Sequence, residues 1–368
     1  MRDNRPVIVN LAHANRQDKR VGLASLRSKR TRMVLKGARA ATYTTSLMQA
    51  EELWHAAKKV TPLASPILRY YSVMQAAQAV VVSSPLANSR WQATKGHGLT
   101  LDVPMIKGGA RLSLEQVFIR PAGEGMMAQK LAEALETPLL SQRASLIELI
   151  AALPVQSLLT DDADLPRKPL SVTPASVGIE YHGPQLDLNR VPPSLARVDA
   201  RGWAVAPALD EVLDVLSAYP SLARLPRPIK VIANPNTSEE YGTTLHLCWE
   251  REKFFAYSEW EHFLDIWTVP RSIHLRHDGL VLPAVGGNDQ PQHPLVTWYL
   301  VLYAFSILAR YHGAHWRQLL DYDENEDAVA LRRLVDRESG AALALAEMAI
   351  LEFLAQDSEQ QRATETQM

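Results

Sequence analysis

An α+β fold is predicted for this chain of 368 residues, with helical N- and C-terminal regions packed together and a central, mostly antiparallel β-containing region between them. Three observations predict it. Residues 294–309 are sixteen uncharged positions, mostly large apolar or aromatic, and an element apolar all round reads as a helix buried on every side. Residues 65–81 place apolar side chains at the 3.6-residue spacing of an amphipathic helix. Residues 154–235 hold twelve of the 23 prolines, which excludes long helices there and favours short strands and loops.

The elements follow in order. Ser46-x-x-Gln49 fits a capping box that opens a helix reaching about Lys59. Ser65-Pro66 opens the next helix, with Ile67, Tyr70, Tyr71, Met74, Ala77, Gln78 and Val81 near one face and Pro85 at the exit. Leu99–Val103 and Arg111–Ile119 alternate apolar and polar residues around Lys107-Gly108-Gly109, the pattern of a β-hairpin. Helices are expected over Met126–Glu136, Ala144–Leu153 and Pro207–Ala218, and strands over Ile229–Ala233 and Thr243–Trp249. Ser258-x-x-Glu261 caps a helix ended by Pro270, and Asp278-Gly279 joins Ser272–Arg276 to Leu280–Leu282 as a hairpin. Pro294 suits the first turn of the apolar helix, where its missing N–H has no intrahelical partner. Sixteen residues fall short of the roughly 18 a membrane-spanning helix needs. A last helix spans about Asn325–Ala355 with a break near Ser339-Gly340. Five regions result: a basic, partly disordered arm (1–42), a helical region (43–95), a mixed α+β region (96–290), a helical region packing with 43–95 (291–356), and a disordered tail (357–368).

A chain of this length buries roughly three quarters of its unfolded surface, and 47% hydrophobic residues can fill that core. Net charge is −1, so no global field argues for nucleic acid. The charge is uneven, however: residues 1–39 carry eleven Lys or Arg against Asp3 and Asp18, while twelve acids face four bases from Asp321 onward. Within the arm, Arg16, Lys19, Arg20, Arg27, Lys29, Arg30 and Arg32 suit an anionic membrane surface, nucleic-acid phosphates or an acidic protein face, or form a solvated arm with no partner. Cys248 is the single cysteine, which excludes an intramolecular disulfide and a cysteine-based zinc site; in an apolar run it reads as a small buried hydrophobe. With no apolar leader at the N-terminus, a cytoplasmic location is expected.

Arg310-x4-His315 at a helix end is the sharpest enzymatic candidate. An Arg fork stabilises phosphoryl charge, and a His near neutral pKa can move the proton of a 2′-hydroxyl. The spacing resembles that of the HEPN ribonucleases, but Arg90/His97 and Arg271/His277 fit it as well, as many pairs as chance gives for this Arg and His content. The structural alternative has Arg310 covering helix C-terminal carbonyls. His274-x2-His277 and His312-x2-His315 have no nearby run of carboxylates to complete a metal site, although Asp321 and Asp323 could fold back onto the second pair, and no metal or cofactor is expected. Gly123-x-Gly125-x-x-Ala128 has the glycines of a dinucleotide turn but not its parallel βαβ context, so a small-molecule substrate is not expected. Trp249, Phe254, Phe255, Tyr257, Trp260, Phe263 and Trp267 fall within nineteen positions; aromatics dominate both cores and interfaces, and core is the simpler reading.

Two blocks carry a family resemblance. Ser65-Pro66-Ile67-Leu68-Arg69-Tyr70-Tyr71-Ser72 and the later set His293, Pro294, Leu295, Arg310, Tyr311 and Trp316 resemble the two signatures of the YaaC-like proteins. The resemblance would cover the chain from about residue 45 onward. It implies a cytoplasmic, non-enzymatic recognition subunit, because the family includes sensors of two-gene antiphage systems directed at jumbo phages. Such a sensor detects a phage-derived component and recruits an effector protein encoded by a neighbouring gene. Two alternatives stay open: an RNase or toxin using Arg310 and His315, and a peripheral protein docking its basic arm on anionic lipid.

Overall fold

A computed structural model describes residues 23–27, 35–86, 96–106, 111–155, 167–175, 185–189, 191–192, 194–201, 203–235, 243–249, 267–268, 279–323, 325 and 327–366. The chain divides into two compact units. One is helical and comprises described residues of 17–150, 285–288 and 292–368; the other, built on a sheet, comprises those of 151–284 and 289–291.

The first half of the helical unit runs through α1 (Leu23–Leu26), α2 (Gly37–Ala57), α3 (Ser65–Ser83), β1 (Leu99–Asp102), β2 (Phe118–Pro121), α4 (Met127–Ala134), β3 (Ala144–Ser145) and α5 (Leu146–Ala151). α2 begins nine residues before the capping-box Ser46, which lies buried in mid-helix. The Ala-rich turns ahead of it are strong helix formers, and buried Tyr43, Leu47 and Ala50 carry the apolar stripe through, so burial overrides the local start signal. β1 and β2 pair antiparallel, Leu99 opposite Pro121 and Asp102 opposite Phe118. The second strand therefore starts later than alternation indicates. Ser113 caps a 3-10 turn over Leu114–Gln116 by accepting from the Glu115 N–H, and this turn takes the front of the expected strand.

The sheet unit contributes β4 (Leu170–Ala175), β5 (Gln185–Asn189), β6 (Arg197–Val198), β7 (Ala204–Val205), α6 (Leu209–Leu216), α7 (Pro220–Ala223), β8 (Lys230–Pro235), β9 (Thr243–Cys248), β10 (Trp267–Thr268) and β11 (Gly279–Val281). Six strands form one antiparallel sheet in the order β10-β11-β4-β5-β9-β8. Period-two alternation explains its faces. Leu170, Val172, Leu186, Leu188, Leu245, Leu247 and Val231 join Val212, Leu216, Tyr219 and Leu222 in one core. The alternate positions carry polar pairs, Thr244 to Asn189 at 3.0 Å and His246 to Asp187 at 2.7 Å. Trp267 and Thr268 are strand where a helix was expected to continue to Pro270; the backbone pairing Trp267 opposite Leu280 holds them. The rest of that expected helix, with Phe254, Phe255, Tyr257, Trp260 and Phe263, lies outside the described residues, as does Ser272–Arg276.

The chain then returns to the helical unit with α8 (Pro294–Tyr311), α9 (Gly313–Leu319), α10 (Ala328–Arg333), a π-helical turn (Leu334–Glu338) and α11 (Gly340–Thr366). α2, α8 and α11 all pack on α3, so helices from both ends of the chain share one core. α8 is the one helix among the described residues long and apolar enough to cross a membrane by composition, and 78% of it is buried inside the fold. The break expected near Ser339-Gly340 falls between the π turn and α11. The backbone of α11 continues to Thr366, past Asp357 where the tail was expected to lose order. Gln, Glu, Arg and Ala are good helix formers, and no Gly or Pro interrupts that stretch.

His293 sits at the N-cap of α8, where its Nδ1 accepts from the Leu295 N–H at 3.0 Å. Only a neutral imidazole offers that acceptor, and burial pushes the His293 pKa down to about 3. A folded-state pKa below the unfolded one gives stability that is complete above the unfolded value and lost as pH falls toward the folded one. The unfolded value is about 6.5, so between pH 7.5 and pH 5 this residue's contribution should shrink by about 2 kcal/mol. Urea unfolding at the two pH values measures it. His293→Asn, which keeps a capping acceptor without a titrating ring, should lose about that much of the pH dependence; an unchanged difference would contradict the assignment.

Candidate functional site

The two signature blocks meet inside the helical unit. Ser65 and Pro66 open α3 and are buried there. Arg69, one turn on, is 2% exposed. Its guanidinium lies 4.7 Å from the centre of the Trp54 ring and donates to Ser339 Oγ at 3.0 Å and the Asp336 carbonyl at 3.4 Å. The Asp336 carboxylate stands 3.6 Å away. Burial lowers the Arg69 pKa and the charge of Asp336 opposes that shift. Arg69 thus anchors α3 to the π-helical turn. Tyr70 and Tyr299 bring their hydroxyls to 3.2 Å between α3 and α8, and burial raises both phenol pKa values. The Trp316 indole, on α9, donates to the Pro62 carbonyl at 3.3 Å and packs on Phe305.

Outward from Tyr70 these contacts open into a cluster of aromatic and basic groups. The Tyr70 ring meets Tyr71, His97, Tyr299 and Tyr303, all with centroids between 5.4 and 5.8 Å. Tyr303 Oη donates to the Leu99 carbonyl at 2.8 Å, and its ring lies 5.3 Å from His97. At the outer edge Arg310 donates to Tyr71 Oη at 3.2 Å and to Tyr311 Oη, with its guanidinium over the Tyr311 ring at 4.7 Å. Tyr311 is 65% exposed. Burial, and then the charge of Arg310, lowers the His97 pKa, which favours the neutral imidazole beside this cation.

The sequence marks His97 only as a chance spacing match with Arg90, although another signal is present: it is flanked by Gly96 and Gly98, at φ +118° and +78°. The loop carries His97 past the start of α4, where the His97 carbonyl accepts from the Ala128 N–H at 3.1 Å. A Cβ on Gly98 would fall 2.5 Å from Met126 Cβ, so the chain passes α4 too closely for a side chain.

The other candidates separate. His315 Nδ1 lies 3.5 Å from Gln318 Oε1 on α9, and His315, after burial, contributes to lowering the His312 pKa. Among the described residues no hydrogen bond joins Arg310 to His315; the kink at His312 (φ −127°, ψ 41°) stands between their helices. Asp321 is paired with Arg317 at 2.9 Å. Gly123 and Gly125 lie between β2 and α4, and β3 returns antiparallel to β2, which is not a dinucleotide-binding unit. Of the basic-arm residues, Arg27 pairs with Glu51 at 2.6 Å. Arg16, Lys19, Arg20, Lys29, Arg30 and Arg32 lie outside the described residues, as do His274 and His277. Cys248 is buried on β9, and burial raises its thiol pKa.

Fold and cluster define the class: an α+β protein whose helical unit buries an apolar helix behind an aromatic, arginine-capped surface. The chain belongs to the YaaC-like protein family, whose model matches residues 25–346. No curated protein and no solved structure matches it.

Gly98→Ala should destabilise the chain by about 1–3 kcal/mol, since it combines a strained φ with a forced shift of Met126. Gly125→Ala, at φ +66° but with nothing within 4 Å of a new Cβ, should cost less. Chemical denaturation of the two variants checks this; equal losses would mean that the close approach to Met126 is not what requires glycine.

Proposed function

We propose that this protein is a cytoplasmic recognition subunit of an antiphage defence system, which detects a phage-derived component and engages a separate effector protein. The observation that carries this reading is the division of labour within the family signatures. Ser65, Arg69, Tyr70 and Trp316 spend their polar groups on partners within the fold, while Tyr71, Arg310 and Tyr311 form an outward face. An exposed tyrosine, Tyr311, beside a partly buried one, Tyr71, and an arginine is the composition of a protein-interface hot spot. An RNase reading draws on the same Arg310, solvent-facing near a helix end, with His315 as its proton carrier.

A phage challenge separates the two. Cells carry this gene alone, its genomic neighbour alone, or both, each with the native sequence, Tyr71→Ala/Tyr311→Ala or His315→Ala, after the variants are shown to fold. The recognition reading expects protection to need both genes, to survive His315→Ala and to be lost with the tyrosine pair. Protection or toxicity from this gene alone, relieved by His315→Ala, would replace it with the RNase reading.

A further inference from the structure

We propose that the face formed by Arg310, Tyr71, Tyr311 and His97 binds the phosphate of a nucleotide, with the exposed Tyr311 ring stacking on the base. This deepens the recognition reading and rests on it for the identity of the contact face.

The half-exposed arginines Arg120, Arg197, Arg227 and Arg317 each hold a carboxylate, at 3.2, 3.1, 2.7 and 2.9 Å. Arg310 is also exposed, yet its partners are two phenol oxygens, and among the described residues no carboxylate forms an ion pair with it. Among the described residues, its positive charge is therefore held in place without a neutralising carboxylate. Two of its five N–H groups are spent on the phenols, which leaves N–H groups to offer outward. Each phenol oxygen accepts from Arg310, so its own hydroxyl proton is free to point away from the guanidinium. Guanidinium and hydroxyls together make a donor-rich face around one fixed cation, which suits a phosphate with its several acceptor oxygens. The half-buried His97 ring lies behind, against Tyr70 and Tyr303, and adds an imidazole within the electrostatic reach of Arg310.

The ring of Tyr311 selects the class of phosphate. One side carries the Arg310 guanidinium at 4.7 Å, and the residue is still 65% exposed, which leaves aromatic surface beside the cation. Bases stack on such surfaces whatever their identity. A lipid phosphate has no flat group to use that surface, so a nucleotide is the ligand that engages both parts.

Isothermal titration of the full chain with AMP, inorganic phosphate and adenosine tests this. AMP should bind more tightly than phosphate, and adenosine more weakly than AMP. Arg310→Met should weaken AMP by about tenfold or more, the usual effect of removing a charged hydrogen-bond partner. Tyr311→Ser should bring AMP down to the level of inorganic phosphate. Because both side chains lie at the surface, unchanged thermal melts would show that the variants fold. No heat with AMP, or AMP affinity unchanged in Arg310→Met, would overturn the proposal; equal affinities for AMP and phosphate would overturn the nucleotide assignment. Loss of phage protection as the defining phenotype is read separately. Intact AMP binding in a protein that never protects would sink the recognition reading and spare this site, and the reverse result would do the opposite.

Discussion

The helical unit depends on burying α8. From Pro294 to Ser306 each residue is buried, so this stretch of the helix has no solvated face and needs neighbours on every side. Burial of apolar surface is worth about 25 cal/mol per Å² but has no preferred direction. A helix of this kind is strongly held in the core and poorly held in register. Direction comes from the few polar groups it carries inward. His293 caps its start, Thr297 donates to Gln292 at 2.9 Å, Tyr299 meets Tyr70, and Tyr303 reaches the Leu99 carbonyl. Each of these would cost free energy if displaced, because a buried polar group without a partner loses its hydration for nothing.

The same logic runs through α3. It buries Arg69, whose cation is tolerated because an aromatic face, a hydroxyl, a backbone carbonyl and a carboxylate surround it. Ser339 accepts from Arg69 and donates to Val335 at 2.5 Å, which ties the π turn to the middle of the bundle. Signature residues that recur as chemistry-bearing types, Arg, Tyr, His and Trp, are thus mostly joints between helices. What they leave outside is a narrow strip of Tyr71, Arg310 and Tyr311, and it is there that a partner can be met.

Much of this was legible in the sequence where the signal was long and periodic. The uncharged run after Pro294 has no polar face to mistake, and Ser65-Pro66 marks the true start of α3. Short local motifs were weaker guides. The Ser46 pattern has the right residues for a cap, but Tyr43 extends the buried stripe ahead of it and the alanines before Tyr43 are strong helix formers. The strand expected from Arg111 lost its front to a serine-capped 3-10 turn. In the site, Tyr71, Arg310 and Tyr311 could be read as signature positions, whereas their grouping with His97 could not. That grouping joins segments far apart in the chain, and only the Gly-His-Gly context hints that the backbone is bent to present an imidazole. Arg310 and His315 are close in sequence yet set on separate helices by one non-helical residue.

The central claim is that hydroxyl contacts between α3 and α8 fix how the two buried helices meet, and a double-mutant cycle on Tyr70→Phe and Tyr299→Phe tests it most directly. Urea unfolding gives the stability of the native chain, both single variants and the double variant. If the hydroxyls at 3.2 Å are partners, each single change should cost about 1 kcal/mol and the double change scarcely more, a coupling of about 0.5–1.5 kcal/mol. Strictly additive losses would mean that the two hydroxyls do not act on each other, and that apolar packing alone sets the register.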